Sequence, residues 1–216
     1  MTQVLILGAG GHAQVVSDIF LRAYEAGAHA QPIGFLDDDV RLTGTVLMGL
    51  PVLGPIAQLD KFDHDAVIVA IGNNHTRTRI FAMLRAQGTQ IVNAIHPSAV
   101  LAPDVRLGEG VMICAGVVVN TGTSIGDNVI LNTVCSVDHH NHISPHAHVA
   151  PGTHLGGNVH IGEGALVGLS AAVLPGCSVG NWAIVGAGSV VINDVPPFTT
   201  AVGVPARVIK QHEQRR

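Results

Sequence analysis

Aromatic and charged side chains are scarce: Phe, Trp and Tyr make up 3 % of the 216 residues, and Asp, Glu, Lys and Arg together 12 %. A core with so few rings must be filled by small aliphatic side chains. Cysteine is limited to Cys114, Cys135 and Cys177, which cannot all pair with one another and show no CxxC spacing, so core packing is their expected role. No apolar run approaches the roughly 18 residues a membrane helix needs, so the mean hydropathy of +0.41 does not reflect a span. Lys and Arg number 11 against 15 Asp and Glu, giving a net charge of −4, which argues against nucleic acid or anionic lipid as partner. The opening MTQVLILGAGG has neither a basic leader nor a long apolar run. It reads as the start of a fold rather than a signal peptide, and a cytoplasmic protein with small-molecule substrates is expected.

What the chain has in abundance is order. From Ala99 to Asp194 it divides into sixteen consecutive hexads without a gap, and the third residue of each is Leu, Ile or Val, from Leu101 and Leu107 to Val185 and Val191. The fourth is Gly at 108, 126, 156, 162, 168, 180 and 186, and the first is mostly small or β-branched. Strand side chains alternate between faces, so positions one and three point inward and position two outward. Three hexads per coil build a triangular prism with a small residue beside each corner, a solenoid of about five coils and about 25 Å in length at strand spacing. Cys135 and Cys177 then fall on inward positions.

The pattern before the repeats is different. Val4–Leu7, Pro32–Leu36 and Ala66–Ile71 read as buried strands, and Ala13–Ala26 and Thr76–Gln87 as helices, which implies an α/β domain with a parallel sheet. The strand ends carry Gly8-Ala9-Gly10-Gly11-His12, Asp37-Asp38-Asp39 and Gly72-Asn73-Asn74. Residues 8–13 satisfy G-x-G-x-x-A between a strand and a helix, where backbone N–H groups bind phosphate, although such a turn is also simply a tight turn. About 95 residues supply half of a doubly wound sheet, which favours a mononucleotide or its sugar conjugate over a dinucleotide. The expected organisation is a Rossmann-like half domain over 1–97, a left-handed parallel β-helix over 98–194 and a C-terminal strand or tail over 195–216. No flexible linker intervenes, so a rigid junction and a shared site are expected.

Histidine is the second excess, with 13 in the chain and seven between 139 and 160. His142, His148, His154 and His160 occupy outward second positions on successive faces, so only His142 and His160 stack. One chain thus supplies two metal ligands where zinc needs three or four, and a metal is not expected. His139 and His140 stand at a corner, beside Asp138. A corner histidine held in one tautomer can act as a general base near neutral pH, or be a plain solvent-facing side chain.

Several segments together resemble the bacterial hexapeptide-repeat sugar acetyltransferases, the sialic acid O-acetyltransferases and the N-acetyltransferases of nucleotide-linked 4-amino-4,6-dideoxy sugars. They are the hexad helix, the leading glycine turn, Phe35-Leu36-Asp37-Asp38, Ala70-Ile71-Gly72-Asn73-Asn74, Ile130-Leu131-Asn132-Thr133, Val137-Asp138-His139 and the closing Gly203-Val204-Pro205-Ala206-Arg207. The resemblance implies a homotrimer that binds acetyl-CoA between neighbouring β-helices and a nucleotide sugar on the N-terminal domain. It makes His139 the general base. The next residue is usually acidic in the family and here is His140, which leaves Asp138 as the expected orienting carboxylate, with His140 itself a candidate catalytic residue beside them. Asn132, His148, Gly157, Leu169, Ala187 and Pro205 correspond to the acetyl-CoA groove, with Gly157 a candidate oxyanion donor. Gly10, Gly11, His12, Asp37, Asp38, Asn73, Asn74 and Arg77 correspond to the sugar-nucleotide pocket. The expected reaction is direct N-acetylation of a UDP- or GDP-linked amino sugar; the alternatives are a sialic acid O-acetyltransferase and, from another class, a zinc carbonic-anhydrase-like trimer or a nucleotide-sensing trimer.

Overall fold

The structure is a computed structural model and describes residues 1–213. Two units divide it, Met1–Pro97 and Ser98–Arg216; the last three residues of the expected tail, 214–216, lie outside the described part.

In the first unit β1 (Thr2–Leu7) leads through the glycine turn into α1 (Gly11–Glu25) and then β2 (Ala30–Leu36). A short hairpin follows, β3 (Val46–Leu47) and β4 (Leu50–Gly54), then a 3₁₀ turn over Ile56–Lys61, β5 (Ala66–Val69) and α2 (Asn74–Ala86). The sheet order is β3-β4-β2-β1-β5, parallel except for β3. β1 lies inside the sheet between β2 and β5 and is buried, as its run Val4-Leu5-Ile6-Leu7 requires, and each of these side chains is fully shielded. Leu5, Leu7, Leu36, Val67, Val69, Ile80, Phe81 and Leu84 share one core between sheet and α2. The hairpin and the 3₁₀ turn are additions to the three expected strands.

In the second unit sixteen two-residue strands run from Val100–Leu101 to Val190–Val191, each on positions two and three of one hexad. The first thirteen each pair in parallel with the strand eighteen residues on, as Val118↔Ser136 and Ser136↔His154 do. The fold is therefore the expected parallel β-helix with three hexads per coil. Backbone hydrogen bonds link coil to coil; Asn120 N–H donates to Val137 O at 2.9 Å and Asp138 N–H to Leu155 O at 3.0 Å. Third-position side chains such as Val137, Ile143, Val149 and Ile161 are fully buried. Only Leu101 and Leu107, in the first coil, remain part-exposed. Ile130, at a second position and so expected to point outward, is fully buried, with Met112 and His148 as its ladder neighbours. The C-terminal segment is an antiparallel hairpin, Thr199–Val202 with Arg207–Gln211, where a single strand or tail was expected.

Candidate active site

The polar ends of β1, β2 and β5 form one cluster in the first unit. Gly8 holds φ 111°, and a Cβ there would meet Ala70 O and Ile71 Cγ1 at 3.0 Å, so the turn requires glycine. Gly10 and Gly11 are exposed, with open space around them, and no side chain caps the first turn of α1. Uncapped amides at the start of a helix whose first turn carries no acidic residue suit a phosphate.

The carboxylates and Arg77 stand behind this surface. Asp37 Oδ2 accepts the Ala9 amide at 2.6 Å and its Oδ1 the Asp39 amide at 2.8 Å, which ties the glycine turn to the end of β2. Asp38 accepts the Ile56 amide, and Asn73 caps α2 by accepting the Thr76 amide. Arg77, expected to line the pocket, is instead fully buried on the core face of α2. Its Nη1 donates to Ile71 O at 3.1 Å and to Asn74 Oδ1 at 2.9 Å, so it supports the loop from beneath. Burial brings its pKa down to about 9.

Burial, with Arg77 nearby, also pulls the His12 pKa down to about 4. Because the folded value lies below the ordinary histidine value of 6.5, the stability tied to neutral His12 is complete above pH 6.5 and is lost as pH falls towards 4. The loss amounts to about 3 kcal/mol. Urea unfolding at pH 7.5 and 4.5 should therefore show a steeper acid loss for the natural protein than for His12→Gln; parallel losses would rule this coupling out.

The second cluster is a corner of the β-helix. His139 and His140 follow the strand Ser136–Val137, and both are exposed in the single chain. Their Nδ1 atoms lie 3.1 Å apart, with the rings edge to face at a centroid distance of 5.2 Å. Asp138 does not orient the His139 ring, contrary to expectation. Its Oδ1 accepts the backbone amide of His139 at 2.8 Å and Asn120 Nδ2 at 2.9 Å, which hold its carboxyl below the usual range. A carboxylate captured by its neighbour's backbone amide is turned away from that neighbour's side chain.

Gly157 lies directly against His139 in the next coil. A Cβ on Gly157 would overlap the ring, reaching to 2.7 Å from Nε2. Gly157 is buried and its φ is outside the left-handed region, so the imidazole is what demands glycine there. Asn141 was not singled out from the sequence, yet its side chain is at the centre of this corner. It occupies an inward position, is 1 % exposed, donates to Asp138 O and Gly156 O, and accepts the Val159 amide at 2.8 Å. An amide among inward positions that are otherwise mostly small or β-branched was the available signal.

Other expected groove residues are more dispersed. Asn132 and His148 meet, Nδ2 to Nε2 at 3.1 Å. Leu169, Ala187 and Pro205 are exposed, Leu169 at 52 %, and Pro205 follows a cis peptide bond. His142 and His160 stack as expected, with centroids 4.8 Å apart. Among the described residues no three or more His, Cys, Asp or Glu side chains gather as a metal would need, and no helix is long and apolar enough to cross a membrane.

Comparison with known proteins adds relatives to this geometry. Residues 3–84 match the PglD N-terminal domain family. A histidine variant of perosamine N-acetyltransferase from Caulobacter crescentus, solved with CoA and GDP-perosamine, is 38% identical with a TM-score of 0.89, over 96% of this chain and 96% of that chain. The chain belongs to the hexapeptide-repeat sugar acetyltransferases. The acetyltransferase domain of PglB from Neisseria gonorrhoeae, solved with acetyl coenzyme A, is another member, 34% identical at a TM-score of 0.89 over 96% and 99% of the two chains. A serine acetyltransferase from Buchnera aphidicola is 33% identical over 139 residues, and there the match spans only 48% of the relative's length. Family membership, and not the lack of a metal cluster, decides against the zinc-hydrase reading.

Proposed function

We propose that this protein transfers the acetyl group of acetyl-CoA to the 4-amino group of a GDP- or UDP-linked 4-amino-4,6-dideoxy sugar. It works as a homotrimer in the cytoplasm, in glycan biosynthesis. The observation that carries the reading is the near-complete match, over 96% of both chains, to an enzyme solved with CoA and GDP-perosamine. The glycine turn and the uncapped start of α1 supply the diphosphate contacts, and His139 supplies the base.

The chemistry needs no enzyme-bound acetyl group. Nε2 of His139 takes a proton from the attacking amine as the N–C bond forms, and the tetrahedral intermediate collapses by breaking the thioester C–S bond. The departing thiolate recovers that proton from His139 and leaves as CoA thiol. None of the thiols is suited to nucleophilic attack: burial pushes Cys135 up to about 12 and Cys114 to about 11, and Cys177 is buried and raised as well. Asn132 and His148 are assigned to acetyl-CoA, as are Leu169, Ala187 and Pro205.

Purified protein should release CoA thiol with acetyl-CoA and one of a panel of UDP- and GDP-linked 4-amino sugars, and the product should carry an N-acetyl group by mass spectrometry. Turnover only with free sialic acid would establish the O-acetyltransferase instead. An acetylated Cys or Ser trapped during turnover would overturn direct transfer.

A further inference from the structure

We propose that His140 is a positioning residue for this reaction: its Nδ1 accepts the Nδ1 proton of His139 and so keeps the Nε2 lone pair of His139 available for the attacking amine. The inference rests on the functional reading above and concerns how its base is prepared. Two imidazole nitrogens 3.1 Å apart share one proton. Were His140 the donor, neutral His139 would carry its proton on Nε2 and could not act as a base there. The working tautomer is therefore Nδ1–H on His139 and Nε2–H on His140. As His139 becomes an imidazolium, its Nδ1–H becomes a charge-assisted donor and the contact strengthens.

Both rings have seats cut for them. Gly157 leaves room for His139, and in the preceding coil Gly122 leaves room for His140, since a Cβ on Gly122 would stand 2.6 Å from Cδ2 and 3.0 Å from Nε2 of that ring. Gly122 has φ 72°, but Asn128, Ser170 and Trp182 adopt the left-handed region at equivalent corners, so backbone conformation alone does not call for glycine. The backbone is pinned on both sides: His140 N–H donates to Thr121 O, and His139 O accepts the Asn158 amide, each at 2.9 Å. His140 thus occupies a fitted place. The carboxylate of Asp138 is already committed to the His139 amide and Asn120.

A negative charge stands behind His140. Asp104 Oδ2 accepts the Gly122 amide at 2.8 Å and the Thr121 hydroxyl at 2.9 Å, and Gly122 is the residue against which the His140 ring rests. Those bonds hold the Asp104 carboxyl below its usual range, and the neighbouring His140 adds to the lowering. Asp104 is exposed, so solvent screens its effect.

Two variants of the full-length enzyme separate an acceptor from a packing role. His140→Gly removes the side chain at a corner where glycine is native in the preceding coil, at Gly122, and again two coils on, at Gly176. His140→Asn keeps an acceptor oxygen near the Nδ1 position, and asparagine tolerates φ 58°. With acetyl-CoA and an active sugar nucleotide, His140→Gly should lower kcat about 10- to 100-fold, as loss of a hydrogen bond to a group that becomes charged does, with both KM values within about twofold. His140→Asn should recover most of that loss, and Asp104→Asn should cost about twofold. The proposal is overturned by an unchanged kcat in His140→Gly, by equal loss in the two variants, or by a rise in KM alone. A His139→Ala enzyme that retains its rate would sink the functional reading itself, whereas a dead His139→Ala with silent His140 variants would sink only this inference.

Discussion

Replacing His139 with alanine is expected to slow acetyl transfer by about 10²- to 10⁴-fold, the usual worth of a general base. The expectation separates cleanly from instability because of where the ring stands. His139 is exposed at a corner, outside the inward rows, and its ring makes one hydrogen bond, to His140. Truncation opens no cavity in the core, so unfolding free energy should shift by about 0.5 kcal/mol or less. KM for acetyl-CoA should stay within about threefold, because the base acts in the transition state and not in binding. Thiol-release kinetics, with calorimetric titration of CoA, measure both. A variant within about threefold of the natural rate would remove His139 from the mechanism.

The β-helix was legible because one local rule, side-chain alternation on a strand, repeats without interruption and fixes every register at once. Each of the sixteen strands falls on positions two and three of its hexad. The hairpin β3–β4 was not legible, since two-residue strands such as Val46–Leu47 carry no period of their own. At the site, the repeat gave positions but not directions. It put His139 and His140 on a corner, yet nothing in a hexad says which ring nitrogen faces which, or that the Asp138 carboxylate turns to a backbone amide. The place of Arg77 could have been read: it stands three, four and seven residues before Ile80, Phe81 and Leu84, on the stripe that α2 buries. Asn141 likewise stands at an inward position where the other coils mostly carry small or β-branched side chains, and a buried amide there must have partners. For Arg77 the motif reading drew attention to ligand chemistry and Asn141 belonged to no motif, while the packing period carried the structural message for both.

Gly157→Ala should cost nearly as much as loss of the base, although it adds only a methyl group. The new Cβ would coincide with the His139 ring, its distance to Nε2 being 2.7 Å where ordinary contact begins near 3.4 Å. Gly157 itself has little freedom to retreat. Its carbonyl accepts the Gly176 amide at 3.0 Å, and its neighbour Asn158 donates to His139 O at 2.9 Å, so the ring must give way. A displacement near 1 Å is enough to lower kcat about 10²-fold and would also break the contact with His140. Gly176→Asn is the matched control, because that corner has φ 76° and open space for a Cβ, and it should keep full activity. The decisive comparison is a double variant. If Gly157 acts only by seating His139, adding Gly157→Ala to His139→Ala should slow the enzyme by less than about twofold further, since the ring it displaces is gone. A full additional loss of about 10²-fold would instead assign Gly157 a role of its own at the reacting thioester, such as the oxyanion donor its position suggested.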